Sequence, residues 1–363
     1  MNNRLYVDVH VIQTVPPSCV NRDDTNSPKT AIYGGVTRAR VSSQCWKKAV
    51  RDMFRTDSMF ALEKLGSRTK KIVGMIAEEI QKLDNSLDAE GLAIKILEAA
   101  GLKIKSESEG TGALFFISSA QVKALAQLTI SSLDADRKTL TVNKKAAQKT
   151  LKDSPGIDIA LFGRMVADDP SLNTDACAQV AHAISTHKTS NEFDYFTAVD
   201  DLSPEDTSGA GHIGTIEFNS STLYRYATIA VHALAEQLGS DTVDAVSEFV
   251  RAFACSMPTG KLNSFANRTA PDAMLITMRI DQPVNLVGAF EKPIETHGGY
   301  VEGSAVALVA HAKRTYKDWL KEPESSFVVG DTLLELGTPC SLNDSLAALR
   351  TSISIALSSN EAA

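Results

Sequence analysis

The sequence VTRARVSSQCWKKAVRDMFR, residues 36–55, passes from a strand pattern to a helix pattern within a few residues. The pattern of residues 36–41, VTRARV, is typical of an extended segment with Arg38 and Arg40 on the same face. Ser42 or Ser43 is a suitable N-cap for the helix that follows. An apolar stripe at helical spacing then runs through Trp46, Ala49, Val50, Met53 and Phe54. These features predict a strand followed at once by an amphipathic helix.

Positive charge is concentrated around this strand and helix. Residues 22–55 hold eight basic and three acidic residues, a net charge of +5, in a chain whose formal net charge is -7. A solvated helix face would explain one such helix. Here the charges continue from a loop through a strand to the helix, which favours contact with an anion such as a phosphate backbone. The candidate contact residues are Arg22, Lys29, Arg38, Arg40, Ser42, Gln44, Lys47, Lys48 and Arg51.

Other segments alternate between extended and helical patterns. In residues 4–14, RLYVDVHVIQT, every second residue from Leu5 to Val11 is apolar and points to the same side, which predicts a strand with one covered face. Residues 59–153 indicate successive helices with little strand signal. Residues 156–165, GIDIALFGRM, indicate extended structure, and Asp169-Pro170 predicts the start of a helix over residues 170–187.

The second half of the chain adds a long hairpin. Its two extended arms begin at Phe193 and end near residue 230, with a loop rich in Ser, Pro, Asp and Gly between them. Further expected elements are a strand at 274–280 and helices at 231–238, 241–256, 302–321 and 341–357. The whole pattern predicts an α+β fold on one antiparallel sheet, with a ferredoxin-like core as the preferred topology.

Composition and motifs exclude several classes of protein. The chain is 43% hydrophobic and 22% charged, as in a globular protein, and no apolar run approaches the ~18 residues of a membrane span. Five scattered cysteines without a CxxC pair indicate reduced thiols in a cytoplasm. HExxH, GxSxG, Walker and Rossmann motifs are absent from the sequence. We therefore predict no catalytic residue, no metal site and no cofactor.

Adjacent carboxylates at Asp23 and Asp24 raise the one alternative to that prediction. Paired carboxylates can bind a divalent metal and assist hydrolysis. Two neighbouring acids without a third carboxylate in register fit better as turn caps that pair with Arg22.

For three apolar residues and one lysine, the sequence allows two interpretations of the role of the side chain. Met165, Phe196 and Ile213 are near polar turns, where the sequence alone favours ordinary core packing over the alternative of a wedge that unstacks bases. Lys261 lies in the turn MPTGKLNSFANRT, residues 257–269, where a solvated loop and a backbone contact to nucleic acid are equally supported.

Four blocks of the sequence closely resemble the CasC-type backbone subunit of the type I-E CRISPR Cascade surveillance complex. They are PSCVNRDDTNSPKTAIYGGVTRARVSSQCWKKAVR (17–51), GIDIALFGRM (156–165), AHAISTHKTSNEFDYFTAVDDL (181–202) and GHIGTIEFNSSTLYRYA (211–227). NRDD, SSQ, GRM and FTAVDDL in this order are too specific a combination for coincidence. The resemblance is looser over residues 257–272 and the C-terminal part, and rests on position alone for residues 59–150.

The resemblance implies an RRM-like (ferredoxin-like) palm, a helical fingers insertion and a β-hairpin thumb. The implied boundaries are 1–58 for the first part of the palm, 59–180 for the fingers, 181–192 for the palm, 193–223 for the thumb, and 224–363 for the remaining palm and C-terminal helices.

It also implies a non-catalytic, cytoplasmic RNA-binding protein of antiviral defence. Copies would form a helical filament along the spacer of a CRISPR RNA and present its bases for pairing with target DNA. The implied partners are CRISPR RNA, target DNA through the guide, neighbouring copies, and the large, small, guide-end-capping and RNA-processing Cascade subunits, with no membrane.

The positions of the matching motifs imply roles for individual residues of this chain. Arg22, Lys29, Ser42, Gln44, Lys47 and Arg51 would contact the RNA backbone. Met165, Phe196, Thr197 and Ile213 would form the wedge around a displaced base. The family more often has leucine at the last of these positions, so Ile213 is a mild departure that should keep the apolar role.

Two competing hypotheses remain open at this point. Asp23 or Asp24 could serve a metal-dependent endoribonuclease, as an acidic residue in the corresponding loop does in type III relatives. Alternatively, the amphipathic helices could belong to a scaffold that binds only protein.

Overall fold

The computed structural model describes residues 4–106, 110–135, 137, 139–166, 168–198 and 212–361. The chain divides into two compact units. The first comprises Met1–Met53, Val180–Thr228 and Ser247–Ala363, and the second comprises Phe54–Gln179 and Ile229–Val246. The tip of the predicted hairpin, residues 199–211, lies outside the described residues.

Strands and helices are interspersed along the described chain. The strands are β1 (Tyr6–Ser18), β2 (Thr30–Tyr33), β3 (Val36–Val41), β4 (Gly66–Thr69), β5 (Ile104–Ser106), β6 (Gly110–Thr111), β7 (Phe115–Ser118), β8 (Ala178–Val180), β9 (Ala183–Ser185), β10 (Glu192–Ala198), β11 (His212–Ala230), β12 (Ala273–Arg279), β13 (Ser325–Val329) and β14 (Thr338–Pro339). The α-helices are α1 (Ser43–Thr56), α2 (Ile72–Leu83), α3 (Ala89–Ala99), α4 (Ser119–Ser131), α5 (Lys144–Lys152), α6 (Ile157–Phe162), α7 (Val231–Leu238), α8 (Thr242–Cys255), α9 (Leu262–Phe265), α10 (Val301–Asp318) and α11 (Leu342–Glu361). Among the described residues, no helix is both long enough and apolar enough to span a membrane.

One large sheet organises the first unit. Its strand order is β14-β13-β12-β1-β11-β9-β3-β2, and β10 pairs with β11. Antiparallel registers join β12 to β1 and to β13, β9 to β3 and to β11, and β2 to β3. By contrast, β13 and β14 run parallel. The observed fold is therefore a mixed α/β architecture around a large mixed sheet.

The strand-to-helix segment forms as the sequence predicts. Residues 36–41 are β3, and Ser42 caps α1, because its Oγ and its carbonyl oxygen both accept from the Cys45 amide. On α1 the side chains of Trp46, Val50 and Phe54 are buried. The Trp46 ring lies against the guanidinium of Arg225, which is 3.7 Å from the ring centroid, so the apolar face of α1 is anchored by a buried cation–π contact.

The second unit has a helical core of its own. Apolar side chains of α2, α3 and α4, among them Ile76, Ile96 and Leu125, are fully buried in one cluster. Each contributes roughly 1.5–3 kcal/mol by leaving water. Ser118 and Gln121 form a reciprocal capping box at the start of α4. The predicted helices of this region are confirmed, but the short strands β4, β5, β6 and β7 were missed.

Two sequence-based assignments are wrong. Residues 157–162 form the helix α6 rather than an extended segment, because all six residues are buried and a short apolar run does not distinguish helix from strand. The helix expected over 170–187 is limited to one 3-10 turn, Pro170–Leu172, in which Asp169 accepts from the Ser171 amide. The chain then continues through the strands β8 and β9.

Candidate nucleic-acid interface

A tight loop between β1 and β2 carries the first residues of the predicted basic track. The Lys29 amide donates to the Asn21 carbonyl at 2.8 Å, and Arg22 forms an isolated bridge with Pro28. Arg22 Nη1 donates to Asn26 Oδ1 at 2.6 Å. Arg22 is exposed and Lys29 is half-buried, and both belong to a loop closed by these hydrogen bonds.

The Asp23 carboxylate accepts hydrogen bonds from groups of the same loop. Its Oδ1 accepts from the Thr25 amide at 2.9 Å, the Thr25 hydroxyl at 2.7 Å and the Ser27 amide at 3.1 Å. These hydrogen bonds, the Thr25 hydroxyl first, lower the pKa of Asp23. This geometry is that of a turn cap. Among the described residues, no group of three His, Cys, Asp or Glu side chains is placed to hold a metal ion.

The structure brings Lys261 to the neighbourhood of Arg22. A Cβ on Gly260 would lie 2.1 Å from the Val20 carbonyl oxygen, so only glycine allows this turn to approach the end of β1 so closely. Burial raises the pKa of the adjacent Cys19 thiol, while the charges of Lys261 and Arg22 lower it. Lys261 and Arg22, which are 239 positions apart, thus act on the same thiol, a proximity that the sequence alone does not show.

Arg38 and Arg40 have different environments although they share a strand. Arg38 is fully buried, and its guanidinium donates to the carbonyls of Tyr33 at 3.2 Å, Ser185 at 2.9 Å and Phe290 at 2.8 Å. Burial also lowers its pKa. Arg38 therefore holds backbone segments together and does not belong to the exposed track. Arg40 is half-buried, with Nε donating to the Thr30 carbonyl at 3.1 Å.

The polar face of α1 extends the track. Gln44, Lys47, Lys48 and Arg51 occupy positions i, i+3, i+4 and i+7, which share one side of a helix. Gln44 and Lys48 are exposed, whereas Lys47 and Arg51 are half-buried. Lys48 is paired with Asp52 one turn away, which offsets its charge. Ser42 is buried as the helix cap, and its amide donates to Asn21 Oδ1 at 2.9 Å.

Electrostatic effects on two neutral groups show that the basic side chains lie close together. Burial lowers the pKa of His182, and the charges of Arg40 and Lys29 lower it further. Burial raises the pKa of Cys45, and Lys29 and Lys48 oppose that shift. His182 Nδ1 also lies 3.3 Å from Arg40 Nη1. Its position beside the track was not predicted, because His182 is distant in sequence and carries no motif.

The hairpin arms separate the predicted wedge residues into two faces. Thr197 pairs directly with Ile213, and Phe196 with Gly214. Because neighbouring residues of a strand point to opposite faces, Thr197 and Ile213 share one face while Phe196 occupies the other, where its ring covers Gly214. The first face also carries the exposed aromatics Phe193 and Tyr195. The period-two spacing of FDYFT could have indicated these two residues.

Exposure of the apolar candidates argues against ordinary core packing. Met165 is 84% exposed and Ile213 is 57% exposed. Met165 belongs to the second unit, whereas the other three candidates belong to the first. Large apolar side chains so exposed are available for contact with a partner.

Comparisons with known proteins point in one direction. A solved chain titled "CRISPR RNA-guided surveillance complex, pre-nicking" is 31% identical, with a TM-score of 0.77 over 95% of this chain and 100% of that chain. A second, titled "CRISPR RNA-guided surveillance complex", is 28% identical, with a TM-score of 0.61 over 94% of this chain and 99% of that chain. No curated protein matches the sequence.

Fold and sequence together therefore define the class, since the chain is similar over nearly its whole length to chains of CRISPR RNA-guided surveillance complexes. The family described as CT1975-like protein matches residues 7–351. The chain belongs to the CT1975-like protein family.

Proposed function

We propose that this protein is a non-catalytic backbone subunit of a type I-E CRISPR surveillance complex. It binds CRISPR RNA, oligomerises along the guide spacer and presents the guide bases for pairing with target DNA. The observation that carries the proposal is the track of exposed and half-buried basic residues from the loop at residues 21–29 through β3 to α1, in a chain of net charge -7. Similarity to chains of RNA-guided surveillance complexes supports it.

The proposed architecture is an RRM-like palm, a helical fingers insertion and a β-hairpin thumb. The order β12-β1-β11-β9 within the large sheet is compatible with such a palm, and the helical core of the second unit with such fingers. The partners we propose are CRISPR RNA, target DNA through the guide, further copies of the chain and the other Cascade subunits.

The burial and pairing of each basic side chain determine whether we propose it as an RNA contact. Arg22, Lys29, Arg40, Lys47, Arg51 and Lys261 contact the RNA backbone. Ser42 supports the helix start, and Gln44 adds an exposed amide. Arg38 is left out because its guanidinium is buried and donates to four backbone carbonyls, and Lys48 has a minor role because it is paired with Asp52.

We propose that the hairpin residues Thr197, Ile213 and Phe196, and also Met165, displace a base of the bound RNA. Ile213 and Thr197 form one contiguous face, and their exposure allows them to separate two bases. Phe196 acts from the opposite face, held by its contact with Gly214.

No catalytic step is proposed, because Asp23 Oδ1 is occupied by three hydrogen bonds of its own loop. Incubating the assembled complex with complementary RNA and Mg²⁺ tests this point. Evenly spaced cleavage products would contradict a non-catalytic role. RNA that stays intact supports it.

Salt dependence of RNA binding tests the proposed track. If one protomer neutralises about four phosphates, log K should fall with log salt at a slope of roughly -3. The double variant Lys47→Ala/Arg51→Ala should reduce that slope by about 1.4, because two phosphate contacts are lost. Binding is measured by anisotropy of a labelled single-stranded RNA over a range of salt concentrations.

A matched control removes two lysines with the same spacing elsewhere in the first unit. Lys317→Ala/Lys321→Ala deletes two exposed positive charges four residues apart, outside the track. Its salt slope should equal that of the wild type. Equal slopes for all three proteins would refute the assignment of the track, and a wild type that binds no RNA would refute the proposed function.

A further inference from the structure

A small crevice lies where the hairpin joins the sheet. Its volume is about 20 Å³, and its polar lining residues include Asn21, Lys29, Arg40, Asn219 and Ser221. Asn21 and Lys29 come from the loop after β1, Arg40 from β3, and the last two from β11. A space of this size admits one water-sized oxygen and excludes a whole nucleotide.

The β11 residues of the crevice occupy a junction in that strand. Up to Phe218, β11 pairs with β10 as the hairpin, and from Leu223 it pairs with β9 in the large sheet. Asn219 and Ser221 lie between these pairings, and both are more than nine-tenths buried. Asn219 Nδ2 donates to Asn191 Oδ1 at 3.1 Å, so the crevice is built into the base of both hairpin arms.

The charge of the crevice is positive. Lys29 and Arg40 line it, and no carboxylate does. Arg40 uses Nε and Nη1 for its contacts with Thr30 and His182, and within the described residues Nη2 makes no hydrogen bond. Two cations thus line a small space that has no carboxylate among its lining residues, which favours an anionic oxygen there. Lys29 does act on the carboxylate of Asp23, which lies outside the lining and whose pKa is lowered by the hydrogen bonds of its own loop and by the charge of Lys29.

We infer that this crevice seats a non-bridging oxygen of one backbone phosphate of the bound RNA, held by Lys29 and Arg40 with Asn219 and Ser221. The inference rests on the proposed function and assigns two uncharged residues of β11 to RNA binding. Because those residues are the base of the hairpin, a phosphate bound there sets the position of the strand relative to the hairpin faces.

The variant Ser221→Asp tests the inference by supplying a carboxylate to the same two cations. The introduced carboxylate takes the place of the phosphate oxygen, so RNA affinity should fall about tenfold, and the salt slope should decrease by about 0.7, the value of one single-strand phosphate contact. The melting temperature should stay equal to that of the wild type or rise, because the new charge is paired. Ser221→Ala, which adds no charge, should keep the melting temperature and lower the affinity about two- to threefold, the effect of losing one hydrogen bond.

Ser220→Asp is the matched control, since Ser220 is exposed, directly precedes Ser221 and points to the opposite face of the strand. It should change affinity less than twofold. If Ser221→Asp and Ser220→Asp weaken binding equally, or if Ser221→Asp loses affinity only together with its melting temperature, the inference is wrong.

Adding inorganic phosphate to the wild type and to Ser221→Asp at matched ionic strength distinguishes a crevice that binds a free anion from one that binds an RNA phosphate. Stabilisation of the wild type alone, with equal RNA affinity in the two proteins, would assign the crevice to a free anion and overturn the inference. Absence of RNA binding by the wild type would instead defeat the proposed function itself.

Discussion

Replacing Arg38 separates residues that hold the fold from residues that bind RNA. In Arg38→Met the side chain keeps an unbranched apolar stem but loses the guanidinium, so the carbonyls of Tyr33, Ser185 and Phe290 lose contacts of 3.2, 2.9 and 2.8 Å. A buried acceptor left without a donor costs about 1–3 kcal/mol. Relief from burying the guanidinium charge offsets part of this cost, which leaves a net destabilisation of about 3 kcal/mol.

Arg40→Met is the matched variant two residues along the same strand. Arg40 is half-buried and makes only peripheral hydrogen bonds, so we expect it to lower stability by less than about 1 kcal/mol. Arg40→Met should weaken RNA binding more than Arg38→Met does. The salt slope should fall by about 0.7 for Arg40→Met and remain unchanged for Arg38→Met.

Urea denaturation followed by tryptophan fluorescence measures the stability of both variants. Trp46 is 1% exposed and Trp319 is 82% exposed, so a Trp319→Phe background leaves Trp46 as a buried reporter of the first unit. The reasoning is refuted if both variants shift the urea midpoint equally. It is also refuted if Arg38→Met keeps its stability and loses RNA binding.

Two further predictions concern stability. Gly34 and Gly35 both have positive φ, but a Cβ on Gly34 would lie 1.7 Å from the Glu291 carbonyl oxygen while one on Gly35 meets nothing within 4 Å. Gly35→Ala should therefore cost about 1 kcal/mol and Gly34→Ala at least about 3 kcal/mol in urea denaturation, and equal costs would contradict the contact. Burial raises the pKa of Asp8 from 3.8 to about 6. Because the folded-state pKa lies above the unfolded-state value, the contribution of Asp8 to stability is fully present below the unfolded-state pKa and is lost as pH rises through about 6, by roughly 3 kcal/mol in total. Asp8→Asn should remove this pH dependence between about pH 4 and 7, and an unchanged profile would show that another group causes it.

Local pattern was sufficient wherever one face of an element is apolar. The stripe from Trp46 to Phe54 predicted α1, because burial of one face imposes the period of the helix on the sequence, and the extended pattern of residues 36–41 predicted β3. The same reasoning failed at residues 157–162, where every side chain is buried and no period remains to be read.

For the candidate interface, the order of residues is enough to show that positive charge is concentrated in residues 22–55 of an acidic chain. Which of those charges face solvent depends on contacts between distant parts of the chain. Arg38 and Arg40 are equivalent by pattern, but carbonyls from Ser185 and Phe290, far along the chain, enclose Arg38. Lys261 joins the track only because Gly260 lets its turn approach the end of β1. Long-range contacts of this kind leave no periodic signal in the sequence, because they depend on how strands distant in the chain pair within the sheet.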